Sequence, residues 1–161
     1  MRKHFFIALL SLCFLSGCDE GLAPDPIDTQ TPGLGGTLTV TSPWPPADSV
    51  RDLRIVAFRN YPPVDILTEV LGGTALFSEQ LAFGTTPQSW RIVLDGLKGR
   101  FAYIVAAQQF GANLFQDWRV VGVYTASGDV NTPTPVDLGS GRFVGDIEIK
   151  VDFTNLPPQP F

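Results

Sequence analysis

The chain has 161 residues, 11 Lys and Arg against 16 Asp and Glu, a net charge of −5, one His and two Cys. His4, Cys13 and Cys18 all lie at the N-terminal end, so the rest of the chain can build no Ser–His–Asp or Cys–His catalytic centre and no Cys/His zinc site. The acidic balance, with no Lys/Arg cluster to offset it, would repel nucleic acid, and no nucleic-acid partner is expected.

Met1-Arg2-Lys3-His4 is a short basic start to an almost unbroken apolar run from Phe5 to Leu15. That run is too short to cross a ~30 Å hydrocarbon layer as a helix, and it fits the apolar part of a secretory signal. It leads into Leu15-Ser16-Gly17-Cys18. Small residues before a Cys, directly after such a run, resemble the lipobox of bacterial lipoproteins. The resemblance implies a signal peptide over residues 1–17, cleavage before Cys18, diacylglyceryl attachment to the Cys18 thiol, and acylation of the new amine. Each buried CH₂ contributes about 0.8 kcal/mol, so two or three palmitate-like chains would hold a soluble domain at a membrane. An ordinary secretory signal with an incidental Cys is the plainer alternative.

A chain cut before Cys18 keeps 144 residues and loses Arg2 and Lys3, which takes the net charge to −7. It has no second thiol for a disulfide, so its fold must stand on its core. Asp19-Glu20 after the Cys resemble an inner-membrane retention signal in enterobacteria and a surface-export signal in some Bacteroidetes. The expected location is the bacterial cell envelope, lipid-anchored, with the outer membrane or cell surface favoured over the inner membrane.

Residues 18–36 are the acylated Cys and a Pro/Gly-rich stretch that reads as a flexible tether. Leu38 and Val40 then alternate with threonines, which predicts a first strand from Thr37. Pro43-Trp44-Pro45-Pro46 must be loop. Leu53 to Phe58 is a β-branched and aromatic run, the second strand. For residues 63–72 two readings stand. Pro63 at a helix start and Gly72 past its end suit a short helix with Ile66, Leu67, Val70 and Leu71 on one face. Extended chain is the alternative.

Trp90, Ile92 and Leu94 alternate with polar or outward positions and predict another strand. Gly96 to Gly99 is a turn, and Phe101 to Ala107 is apolar on both faces, as in a strand covered twice. Arg119 to Tyr124 is a further strand, thinned at Gly122. In the last strand, Phe143, Gly145, Ile147, Ile149, Val151 and Phe153 alternate with Arg142, Val144, Asp146, Glu148, Lys150 and Asp152, so the first set is expected inside. The Pro-rich residues 155–161 lie outside any sheet, as a docking segment or a disordered end.

These short strands predict one all-β domain over 37–154, an antiparallel Greek-key β-sandwich of about seven strands of prealbumin or immunoglobulin type. Leu97-Lys98-Gly99-Arg100-Phe101 and the apolar strand after it resemble the hairpin of transthyretin-like, carboxypeptidase-regulatory-type domains, with one residue fewer between Leu97 and Gly99. The resemblance implies a non-catalytic module of a secreted or surface protein and supplies no site residues.

Function is therefore expected to be binding or assembly with a glycan or protein partner, without a cofactor. Trp44, Tyr61, Phe110 and Phe115 fall in predicted loops, with Gln108, Gln109, Asn113 and Gln116 nearby. Rings offer large contact area with few rotatable bonds, and amides orient a ligand. Trp118, at a strand start, is expected to be core. Catalysis would need carboxylate pairs, as in glycoside hydrolysis, from Asp95, Asp117, Asp129 and Asp137. Those residues read more simply as turn formers. Asp129, Asn131 and Asp137 offer calcium-type oxygens without the EF-hand spacing, and no metal is expected. A purely structural envelope role is a further alternative.

Overall fold

The structure, a computed structural model, describes residues 31–64, 66–94, 98–139 and 142–160, with Leu67 described by its backbone alone. Cys18, the lipobox-like stretch, the tether to residue 30, Asp95 and Leu97 lie outside the described residues. The chain is all-β, as the period-two patterns predict. Its strands are β1 Gly33–Val40, β2 Asp52–Phe58, β3 Leu76–Phe77, β4 Gln88–Val93, β5 Gly99–Phe101, β6 Tyr103–Gln109, β7 Trp118–Val123, β8 Val136–Leu138 and β9 Phe143–Val151. The short helix α1 spans Ile66–Leu71. Seven strands form one mixed sheet in the order β3-β2-β6-β7-β9-β1-β4, curled into a nearly closed barrel, and β5 and β8 form a separate pair. Phe101, Val136 and Leu138 carry that pair onto the main core.

One expected feature fails. The sheet is not wholly antiparallel, because β1 runs parallel to β9 from Gly33–Phe143 to Val40–Val151. Tight turns force antiparallel pairing on neighbours in sequence. These two strands are the ends of the domain, with the whole fold as their connection, so no turn dictates their direction.

The pairing also overturns part of the last strand's predicted faces. The β1–β9 register jumps between Leu34–Val144 and Gly36–Ile147. Asp146, at φ 60°, occupies the extra position on β9, a left-handed conformation that Asp tolerates better than most residues. A bulge of this kind breaks the two-residue period. Beyond it Ile147, Ile149 and Val151 are buried and Glu148 and Lys150 exposed, as expected. Before it the faces swap: Val144, expected outside, packs on the core. Phe143 instead lies over Gly35, where a side chain would collide with its ring, and close to Gly33 and Gly145, and Arg91 sits 5.0 Å above it. Strand β1 therefore starts at Gly33, four residues before the predicted Thr37. Its glycines mask the strand in sequence because they carry no alternation. At Gly36 a Cβ would strike the Ile147 carbonyl, so the close approach at the bulge requires glycine.

The barrel interior is filled from both walls. Leu34 and Leu38 on β1, Leu53 and Ile55 on β2, Ile104 and Ala106 on β6, and Ile147 and Ile149 on β9 share one cluster. At the seam between the ends of the sheet, the Gln88 side-chain amide stands in for a strand. Its Oε1 accepts from Ala82 N at 2.9 Å and its Nε2 donates to Ala82 O at 3.1 Å. The C-terminal residues are neither free nor projecting. Leu156 packs on the core, Pro157 is buried, and the Gln159 amide bonds both N and O of Val120, at 2.8 and 3.0 Å. It covers the part of β7 that β9, paired with it only at Gly122–Val151, leaves open.

Candidate functional site

The strands β2, β6 and β7 are apolar on both sides. Outward from the barrel, Val56, Phe58, Tyr103, Val105, Val120 and Val123 form a second cluster, distinct from the interior one. For residues 103–107 this matches the two-faced pattern in the sequence. The cover over this cluster is partial. Ile66 and Val70 of α1 pack on it, together with Ala75. The chain leaves the helix through Gly72, whose N donates to Thr68 O at 2.8 Å, and Gly73 at φ 69°. Thr74 N and Ala75 N then both donate to Glu69 O at 2.9 Å. Glu69 is itself buried and its Oε1 accepts from Val64 N at 3.3 Å. The helix thus buries Glu69, half-buries Ile66 and Val70, and turns Leu71, expected on the buried face, out to solvent. Positions three and four apart share a helix face, and Leu71 falls off the one that Ile66 and Val70 define.

Between α1 and the 111–117 loop lies an open groove of about 740 Å³. Its floor is Val56, Val105, Ala107 and Val120. The register sets these in rows: Val56 opposite Val105, Arg54 opposite Ala107, and Ala107 opposite Val120. Its rim carries apolar side chains that the fold leaves in water: Val64 is 86% exposed, Leu71 71%, Leu114 66% and Phe115 67%. Lone exposed apolar residues are ordinary, but a group of them around an apolar groove is the usual mark of an interaction site.

The loop that holds Leu114 and Phe115 is well braced. Asp117 Oδ2 accepts from Asn113 N at 2.8 Å, and Asp117 N donates to Asn113 O at 3.0 Å. Phe115 N donates to Asn113 Oδ1 at 3.0 Å, and Trp118 Nε1 donates to Leu114 O at 2.9 Å. Trp118 is half-buried and lines the groove, so it is a wall residue and not deep core.

One end of the groove is polar. Arg54 Nε donates to Asp52 Oδ2 at 2.8 Å, and Arg54 Nη1 donates to Ser78 O at 3.2 Å. Asp52 Oδ1 is buried and has no hydrogen-bond partner among the described residues. Buried carboxylate oxygens without a donor are rare, because the lost hydration is not replaced.

The four ring residues expected to meet a partner do not converge. Phe115 stands on the groove rim. Tyr61 and Phe110 are exposed beside it: the Tyr61 ring is 4.8 Å from Tyr103, and the Phe110 ring is 5.4 Å from Arg119. Tyr103 is buried, and its burial first, then the neighbouring Tyr61, raises its phenol pKa. Trp44 is elsewhere. Its ring lies 5.0 Å from Phe83 and 5.3 Å from Phe153, half-buried against the interior core. Proline neighbours do not expose a ring when two other rings sit over it. Nothing in the sequence marks Val64 and Leu114 as exposed, and Leu71 is expected there on the buried face of the helix. The one signal of this face was the outward pair Val56 and Phe58, apolar on a strand already committed inward at Ile55 and Ala57.

The candidate acids are occupied locally. Asp129 accepts from Asn131 N at 3.0 Å, Asn131 Nδ2 at 2.9 Å and Thr132 Oγ1 at 2.9 Å, and these bonds lower its pKa, the backbone bond most. Asp137 lies 4.0 Å from Arg100, both exposed. Among the described residues, Asp117, Asp129 and Asp137 share no hydrogen-bond partner with one another. Among the described residues no group of three or more His, Cys, Asp or Glu could hold a metal. In comparison with known proteins, the chain matches no family model, no curated protein and no solved structure.

Proposed function

We propose that this protein is a bacterial cell-envelope lipoprotein, anchored through acyl chains on Cys18, whose domain is a non-catalytic module that binds a partner in the groove over β2, β6 and β7. The observation that carries the binding reading is the groove itself: an aliphatic floor inside a rim of Val64, Leu71, Leu114 and Phe115 left exposed by the fold. Its few polar groups and its valine floor suit a protein partner better than a glycan, whose hydroxyls need many hydrogen bonds. The Leu15 to Cys18 stretch supports the anchor.

Two measurements test this. Metabolic labelling with a palmitate analogue should mark the wild type and not Cys18→Ser; labelling of the variant would sink the anchor. In the full chain kept soluble by Cys18→Ser, 1-anilinonaphthalene-8-sulfonate should bind and brighten. Adding Leu71→Asp and Phe115→Asp should remove the signal without lowering the melting temperature, while Ser127→Asp should leave it. Dye binding that ignores the rim substitutions would end the groove reading.

A further inference from the structure

We propose that the groove takes an extended apolar peptide segment of another protein, read through its backbone by the Asp52–Arg54 pair; this rests on the groove being the binding site. The valine floor alone would serve a lipid tail equally well. The polar end separates the two. Asp52 Oδ1 is buried without a donor, and a hydrocarbon chain laid over it would leave it so. A peptide N–H supplies the missing donor. Arg54 gives Nε to Asp52 and Nη1 to Ser78, and no described residue takes Nη2. Both residues line this end of the groove, so a peptide unit laid there meets a carboxylate that lacks a donor beside a guanidinium with one to spare, the complement of its N–H and C=O.

The dimensions agree. Asp52 and Phe58 line the groove six residues apart on β2. At ~3.3 Å per residue that is about 20 Å, the length of roughly six extended residues.

The placement of the groove argues the same way. The chain enters the domain at Thr31, whose carbonyl accepts from Arg91 Nη2 at 3.0 Å, and at Pro32, whose carbonyl accepts from Leu94 N at 3.0 Å. Arg91 is on β4 and Leu94 is the residue after it. In the sheet order, β1 and β4 each stand three strands from β6, one in each direction around the nearly closed barrel. The chain N-terminal to Thr31 therefore joins the wall opposite the groove, so the tether does not enter across the groove and leaves it open to a partner. The rim offers no Lys/Arg cluster for anionic headgroups.

The experiment is displacement of bound 1-anilinonaphthalene-8-sulfonate from the full chain carrying Cys18→Ser. The competitors are capped hexapeptides with Leu, Val or Phe at alternate positions, sodium dodecanoate, and phosphatidylcholine vesicles. Peptides should displace the dye. In the best of them, ester replacement of one amide, which deletes a single N–H, should weaken displacement about tenfold. Asp52→Ala should erase the difference between ester and amide. The ester series on the otherwise unchanged protein needs no further variant, so it stands even if Asp52→Ala folds poorly. Displacement by dodecanoate or vesicles and by no peptide overturns the proposal while leaving the groove reading intact. So does displacement by none of the competitors, or an ester series that is neutral at every position. Failure of the dye itself to bind the groove overturns both readings.

Discussion

The two faces of the β2–β6–β7 wall each carry an apolar cluster and are finished differently. Inward, Leu53, Ile55, Ile104 and Val121 meet side chains from the other strands of the barrel and are sealed. Outward, Val56, Val105 and Val120 are also buried, but their cover is one six-residue helix, a short return to β3 and a braced loop. That cover stops short and leaves the groove. Burial of a strand residue thus says that something lies over it, and not that the surface above is complete. The interior face works for stability, and the exterior face divides its residues between stability and a surface left open.

The largest test of this contrast is a charge in the sealed face. Ile147→Asp should unfold the domain, since an unpaired buried charge costs at least several kcal/mol, about the size of a typical total stability. Its neighbour Glu148 is exposed, so Glu148→Lys should stay within about 0.5 kcal/mol. Equal thermal melts for the two would show that the faces of β9 are wrongly placed.

The adjacent pair Val120 and Val121 compares the two faces directly, since they point to opposite clusters. Val121→Ala should cost about 2 kcal/mol, from lost burial plus a trapped cavity. Val120→Ala should cost about 1 kcal/mol, because the space it opens joins a groove that is already open. Chemical denaturation of both variants would decide it, and a larger loss at Val120 would break the contrast.

Tyr103 probes the outer cluster by pH. Its raised pKa means that the unfolded phenol ionises near the ordinary value of about 10 while the folded one stays neutral. The stability it contributes is complete below pH 10 and declines as pH rises above it. Denaturation midpoints should fall more steeply between pH 10 and 11 for the wild type than for Tyr103→Phe. Parallel curves would mean that the ring is not held dry.

The smallest expected effect is at the rim. Leu71→Asp should shift stability by no more than about 0.5 kcal/mol, because Leu71 is exposed. A large loss of stability there would mean that the open rim belongs to the core after all.

The groove's floor was half legible and its rim was not. Phe101 to Ala107 announced a strand covered on both faces by being apolar throughout. An exposed Leu71 or Leu114, by contrast, has the same chemistry as a buried one, and its exposure depends on where a six-residue helix happens to end. Trp44 shows the converse: it lies in a loop, as its prolines predict, and only Phe83 and Phe153, distant in the chain, pull its ring onto the core.

What the amino-acid sequence by itself determined was everything set by neighbours two apart. This covers the all-β class, the strands read from Leu53, Trp90, Phe101 and Arg119, which begin within two residues of those positions, and the water face of β9 after Ile147. Side chains alternate across a strand regardless of its partner, so that information is local. The parallel union of β1 with β9, the bulge at Asp146 that reverses Phe143 and Val144, and the glycine strand from Gly33 were decided by which strands meet. So was the groove, which exists because one wall of the barrel was given less cover than it has apolar surface. Those features belong to contacts between distant segments, and no local pattern encodes them.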